Sequence, residues 1–209
     1  LSVLYRFYEI RQGRILLDGV DSRQIALEDL RRQMALVLQE PFLFSGTLLD
    51  NLRLGRSDIP PEKVEAACRA VQIHDFVMQL GGYGAEVHER GAGFSEGERQ
   101  LLSFARALAF DPPILLLDEA TANVDSRTEA LIQEAMETLM RGRTSLVIAH
   151  RLSTIRDADR ILVFHHGELR EEGRHAALLE RGGLYAKLHT MQFKPPAGSA
   201  TAGTSRAAR

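Results

Sequence analysis

Hydrophobic positions along the chain follow two spacings. Short continuous aliphatic runs occur at residues 34–40 (MALVLQE), 114–118 (ILLLD), 145–150 (SLVIAH) and 160–164 (RILVF), and each reads as a buried strand. RILLDG at 14–19 reads as a strand that enters a turn. Between Thr47 and Phe110 the spacing becomes helical, first TLLDNLRL (47–54), then PEKVEAACRAVQIHDFVMQL (61–80) after a Pro-Pro pair, then the run that follows GAGFSEGERQ. A further helix is predicted over 126–140, where Ser126 and Glu129 have capping-box spacing. The opening LSVLYRFYEI is amphipathic and predicts a helix, one that starts as though its first turns had been removed. Aliphatic strands that alternate with helices indicate an α/β fold with a mainly parallel sheet covered on both faces. The helical block at 47–112 reads as a lobe inserted into that core. Residues 1–46 and 113–193 then form the core, and the Pro/Gly/Ala/Ser-rich 194–209 a disordered tail.

Composition narrows the function. With 209 residues, 44% of them hydrophobic and 26% charged, the chain can bury one core. A net charge of -2 gives no support to nucleic-acid binding through bulk charge. The one cysteine, Cys68, falls in a helical apolar pattern and reads as a core residue. No apolar run approaches the ~20 residues that cross a bilayer.

In sheets of this kind ligands bind beyond the carboxyl ends of the strands. There the chain places Gln39, the adjacent pair Asp118 and Glu119, and His150. Asp118 could hold Mg²⁺ while Glu119 orients or deprotonates water beside a γ-phosphate, or the pair could simply end a strand and cap a helix. His150 could donate to a phosphate oxygen or be a satisfied structural histidine. If the three strands are neighbours, these groups converge on one crevice. A second place for chemistry is the start of the helix after Phe94. Its bare amides and positive dipole end suit a phosphate, yet it carries Glu96 and Glu98. Ser95 and Glu98 again have capping-box spacing, so Glu98 could fold back onto its own first turn.

Taken in order, VLQEPFLFSGT, ERGAGFSEGERQLLSFARAL, ILLLDEATANVD and VIAHRLSTIRDADRILVF resemble the Q-loop, signature, Walker B with D-loop, and H-loop of the ATP-binding cassette (ABC) family. The resemblance runs from Leu1 to about Phe193 and is strongest to exporters whose membrane helices and ATPase share one chain. It implies a P-loop NTPase (ABC ATPase) core with an inserted α-helical subdomain, and ATP and Mg²⁺ as ligands. Asp118 and Gln39 would attend the metal and Glu119 would be the catalytic base. Gln39 would also sense the attacking water and link to a membrane domain, and His150 would contact the γ-phosphate. Asp125 would sit at a dimer interface. Ser95, Gly97 and Glu98 would face ATP held by a second nucleotide-binding domain, head to tail, in a homodimer or a heterodimer. Glu89, Arg90 and Gly91 match the loop that meets the membrane domain. The implied location is the cytoplasmic face of the plasma (inner) membrane, with no nucleic-acid partner.

Two departures stand out. The phosphate loop G-x-x-x-x-G-K-[ST] is absent from these residues. In the family it precedes the helix equivalent to LSVLYRFYE, so the chain is read as a fragment that begins just after it, without the N-terminal strands and phosphate loop, and inactive alone. The signature reads Phe94-Ser95-Glu96-Gly97-Glu98 where the family has L-S-G-G-Q. Carboxylates near a partner's γ-phosphate would add repulsion of roughly 1 to 4 kcal/mol per close pair, as in a heterodimer with one weak site. Two other readings are a cassette ATPase acting on DNA or ribosomes, and a non-catalytic interaction fragment.

Overall fold

The computed structural model describes residues 1–88, 91–118, 126–149 and 155–193, the side chains of 192 and 193 excepted. They fall into two compact units, residues 1–150 and 151–209.

The first unit is built on a parallel sheet of three strands, β3 (Met34–Val37), β6 (Ile114–Asp118) and β7 (Thr144–Ile148), with β6 in the middle. Ala35 pairs with Leu115 and Leu115 with Ser145, and Asp118 lies opposite Ile148. Alternate residues serve the two faces. Ala35, Val37, Leu115 and Leu117 enter the main core, beside Leu102 and Phe104 of α5 (Glu96–Phe110) and Ile132 and Leu139 of α6 (Ser126–Met140). Met34 and Leu116 face the other way, against Leu30 of α1 (Leu27–Arg32), Leu1, Leu4 and Tyr5. Aliphatic side chains on both faces are what a covered parallel sheet requires. The α/β class read from the sequence is the fold observed, and α6 and β6 have the extents expected.

Ahead of the sheet, β1 (Leu16–Leu17) and β2 (Val20–Asp21) form a hairpin whose two-residue turn is Asp18-Gly19, at φ 49 and 85. Asp-Gly tolerates the two positive φ angles of such a turn. The helical block holds α2 (Leu48–Arg53), α3 (Pro61–Ala70), α4 (His74–Gln79) and α5, with a small antiparallel pair, β4 (Gly46–Thr47) and β5 (Glu86–Val87). Cys68 is fully buried among these helices, and burial pushes its thiol up to about 11. Native chain should therefore react with a thiol-specific disulfide reagent about 100-fold more slowly than urea-unfolded chain, because the thiolate is scarce and shielded. Equal rates would place Cys68 at the surface.

Other expectations need correction. The opening segment is not a helix: residues 2–8 form turns, Arg6 has φ 51, and Phe7 N–H bonds Ser2 C=O at 2.9 Å. A segment this short is marginal as an isolated helix. Tertiary contacts decide its shape, since Arg6 Nη1 donates to the carbonyls of Ser22 and Ile25, each at 3.0 Å. The single helical pattern at 61–80 is two helices, because Gln72 turns left-handed (φ 59) so that both Val71 and Ile73 reach the core. Finally, the strand expected near 160–164 forms, but its partner among the described residues is antiparallel.

That last strand, β8 (Ile161–His165), belongs to the second unit and pairs antiparallel with β9 (Glu168–Gly173) across a His166-Gly167 turn. Two helices follow, α7 (His175–Glu180) and α8 (Leu184–Phe193). Ile161, Val163, Leu178 and Tyr185 form its core. Glu171 accepts the N–H groups of Leu184 and Tyr185, which fastens the start of α8 to the hairpin, and these bonds hold its carboxyl below the usual range. No described helix is long and apolar enough to cross a membrane.

Candidate functional site

Two of the expected groups lie at the carboxyl edge of the parallel sheet, on neighbouring strands. Asp118 is the last residue of β6 and half-buried. Gln39 is exposed, two positions past the end of β3, the strand beside β6. The register sets Val37 opposite Leu117, so the two strands finish level with each other. β7 finishes on the other side of β6, with Ile148 opposite Asp118. The neighbouring order β3-β6-β7 is the condition the sequence left open for the three strand ends to share a crevice. Glu119, Asp125 and His150 lie outside the described residues, as do Glu89 and Arg90. In the chain, Glu119 directly follows Asp118 and His150 stands two positions after Ile148.

The chemistry at this edge is that of hard oxygen donors. A carboxylate and a side-chain amide oxygen suit Mg²⁺, which keeps several waters and takes one or two protein ligands plus phosphate oxygens. Among the described residues no three His, Cys, Asp or Glu side chains cluster into a metal cage. A carboxylate with phosphate oxygens needs no such cage.

Ser95, Gly97 and Glu98 form a second place, the first turn of α5. Ser95 is its exposed N-cap, and the capping box is complete: Ser95 N–H donates to Glu98 Oε2 at 2.7 Å, and Glu98 N–H donates to Ser95 Oγ at 3.3 Å. Of the two readings of Glu98, the fold-back onto its own helix is the geometry observed. The box occupies two helix-start donors, and the amides of Glu96 and Gly97 have no intrahelical acceptor by helix geometry. Gly97 is buried. Arg99 Nη1 donates to Phe94 C=O at 2.6 Å and pins the approach to the helix. Glu98→Ala, which removes half of the box, should cost about 1 kcal/mol in urea denaturation, and Glu98→Gln, which can still accept from Ser95, should cost less. Equal losses would show that charge, and not the hydrogen bond, is what Glu98 supplies.

Sequence reasoning missed Asn51 and Arg106. Asn51 is fully inside, 3% exposed, and its side chain bonds both main-chain groups of Phe44: Oδ1 accepts Phe44 N–H at 2.8 Å and Nδ2 donates to Phe44 C=O at 2.8 Å. Arg106 reaches from α5 to the carbonyls of Asn51 and Phe42. The available signal was an amide on the apolar face of α2, between Leu48 and Leu52, where a buried polar group must find partners.

The ABC transporter family profile matches residues 1–122. An uncharacterized ABC transporter ATP-binding protein, YknV of Bacillus subtilis (strain 168), is 50% identical over 193 residues, which cover 92% of this chain and 32% of that protein. An ATP-dependent lipid A-core flippase of Chromobacterium violaceum is 50% identical over 196 residues, covering 93% and 34%. The chain thus spans about a third of the length of the curated relatives it matches. Among solved structures, a bacterial Atm1-family ABC exporter with ATP bound aligns with a TM-score of 0.86 and 43% identity, over 94% of this chain and 35% of that one. The strand order, the helix-start serine and these matches together place the chain in the ABC transporter family.

Proposed function

We propose that this chain is the ATP-hydrolysing motor of an exporter-type ABC transporter. It works at the cytoplasmic face of the plasma membrane with membrane-spanning segments of the same polypeptide, and pairs head to tail with a second nucleotide-binding domain, identical or related. The observation that carries the reading is the parallel order β3-β6-β7, which sets Gln39 and Asp118 on one sheet edge. Asp118 and Gln39 hold Mg²⁺, which when bound neutralises charge on the phosphates. Glu119, next in the chain, orients the attacking water and takes its proton. His150 donates to the γ-phosphate, and Asp125 lies at the domain interface. Across that interface Ser95 and Gly97 offer hydroxyl and amide hydrogens to the opposing domain's nucleotide, where the dipole of a 15-residue helix favours negative charge. The bond from Ser95 N–H to Glu98 supports a capping role for that carboxylate within its own chain. ATP hydrolysis by the intact transporter, before and after Glu119→Gln, is the deciding experiment. A parent without hydrolysis, or a variant at the parent's rate, overturns the reading.

A further inference from the structure

The segment that follows Gln39 is attached at three successive residues to the helices of the lobe. Arg106 Nη2 donates to Phe42 C=O at 3.2 Å. Leu43 is buried, 1% exposed, and its Cδ1 lies 2.9 Å from where a Cβ on Gly91 would stand, so the turn before the signature packs closely on it, at a φ of 68 that favours glycine. Phe44 is held through both its main-chain groups by Asn51, whose Nδ2 also donates to Thr47 C=O at 3.0 Å. The two attachments through polar groups are themselves joined, because Arg106 Nε donates to Asn51 C=O at 2.9 Å, in the last turn of α2 where carbonyls lack helical partners.

We propose that Arg106 and Asn51 are positioning residues that clamp the segment after Gln39 to the helix that carries Ser95, so that the two nucleotide-facing groups move as one body. The proposal rests on the reading above, in which Gln39 faces the nucleotide of its own domain and Ser95 that of the partner. Ser95 stands at the N-terminus of α5, and Arg106 about 16 Å further along the same helix at the α-helical rise. A helix with so much of its surface in the core shifts as a rod, because packed interiors transmit displacement rather than absorb it. When the partner's nucleotide engages Ser95, α5 carries Arg106 with it, and Arg106 draws on Phe42. Pro41 restricts the short stretch between Phe42 and Gln39, so little slack separates the tether from the glutamine. Burial lowers the Arg106 guanidinium to about 10, so it keeps its charge at neutral pH, and charge-assisted bonds to carbonyls are the stronger kind.

The test is ATP hydrolysis by the intact transporter carrying Arg106→Ala or Arg106→Lys, with kcat, KM, the Hill coefficient for ATP and the thermal midpoint all recorded. The expected result for Arg106→Ala is a kcat lower by on the order of 10-fold and a Hill coefficient near one, with KM little changed, as misplacement of a positioned group produces. Lysine keeps the charge and one bond, and should restore part of both. A purely structural role would lower the thermal midpoint and the active fraction while leaving KM and the Hill coefficient of the folded protein as in the parent, and that result overturns the clamp. If the alanine variant does not fold, the lysine variant decides by the same criteria. Glu119→Gln run alongside separates the two ideas: parental hydrolysis there defeats the ATPase reading, whereas its loss together with parental kinetics in both Arg106 variants defeats only the clamp.

Discussion

Replacement of Glu119 by glutamine is expected to leave Mg-ATP binding in place and to slow hydrolysis by the intact transporter about 10²- to 10⁴-fold, the range for removal of a general base. Glutamine matches glutamate in size and still orients water through hydrogen bonds, so the loss isolates the proton acceptor. The direction for binding follows from charge. Asp118 ends β6 half-buried, and a second carboxylate next to it in the chain adds repulsion toward a triphosphate; its neutral replacement relieves that repulsion. Nucleotide should accordingly be retained as well as or better than in the parent, which a filter-binding measurement with labelled ATP would register. A variant that binds weakly and also fails to hydrolyse would assign Glu119 to nucleotide binding instead of proton transfer. Because Glu119 directly follows the last residue of the central strand, the assignment depends on β6 being the strand between β3 and β7.

The largest stability effect is expected from the same strand. Leu115→Ala removes a side chain with no exposure from the sheet's central strand, where Ala35 and Ser145 flank it and helices close the face above. A substitution of this kind costs about 2–5 kcal/mol, a large part of the roughly 5–15 kcal/mol that holds a domain together. Thermal denaturation of the chain should show a midpoint lower by about 2–4 °C for each kcal/mol lost. Leu146→Ala is the control. Leu146 sits one strand away on β7 and is 41% exposed, so the same chemical change should cost under about 1 kcal/mol. Similar losses for the two variants would mean that β6 is not the buried centre of the sheet.

Much of the molecule is set by residues close to one another in the chain. Four aliphatic residues before Asp118 suffice for β6, Asp18-Gly19 for the hairpin turn, and Ser95 with Glu98 for the start of α5. Each depends on side chains within one turn or one strand of each other, so period, turn chemistry and capping spacing are enough to read them. The order of the family's motifs also survives in the linear chain, which is why Gln39, Asp118, Glu119, Ser95 and His150 could be singled out before any fold was seen.

Other features rest on contacts between distant residues. No local pattern states that β6 lies between β3 and β7, yet that order is what sets the separate strand ends side by side. The opening segment has a helical pattern and takes turns instead, because the carbonyls of Ser22 and Ile25 capture Arg6. The pattern at 61–80 breaks at Gln72 so that Val71 and Ile73 can both be buried. Asn51 and Arg106 look like ordinary helix residues until the loop after Gln39 packs beside them. Local structure follows from propensities and hydrogen bonds that a short segment satisfies by itself. Strand order, helix breaks and buried polar partners follow from which distant surfaces exclude water together, and only the folded chain decides that.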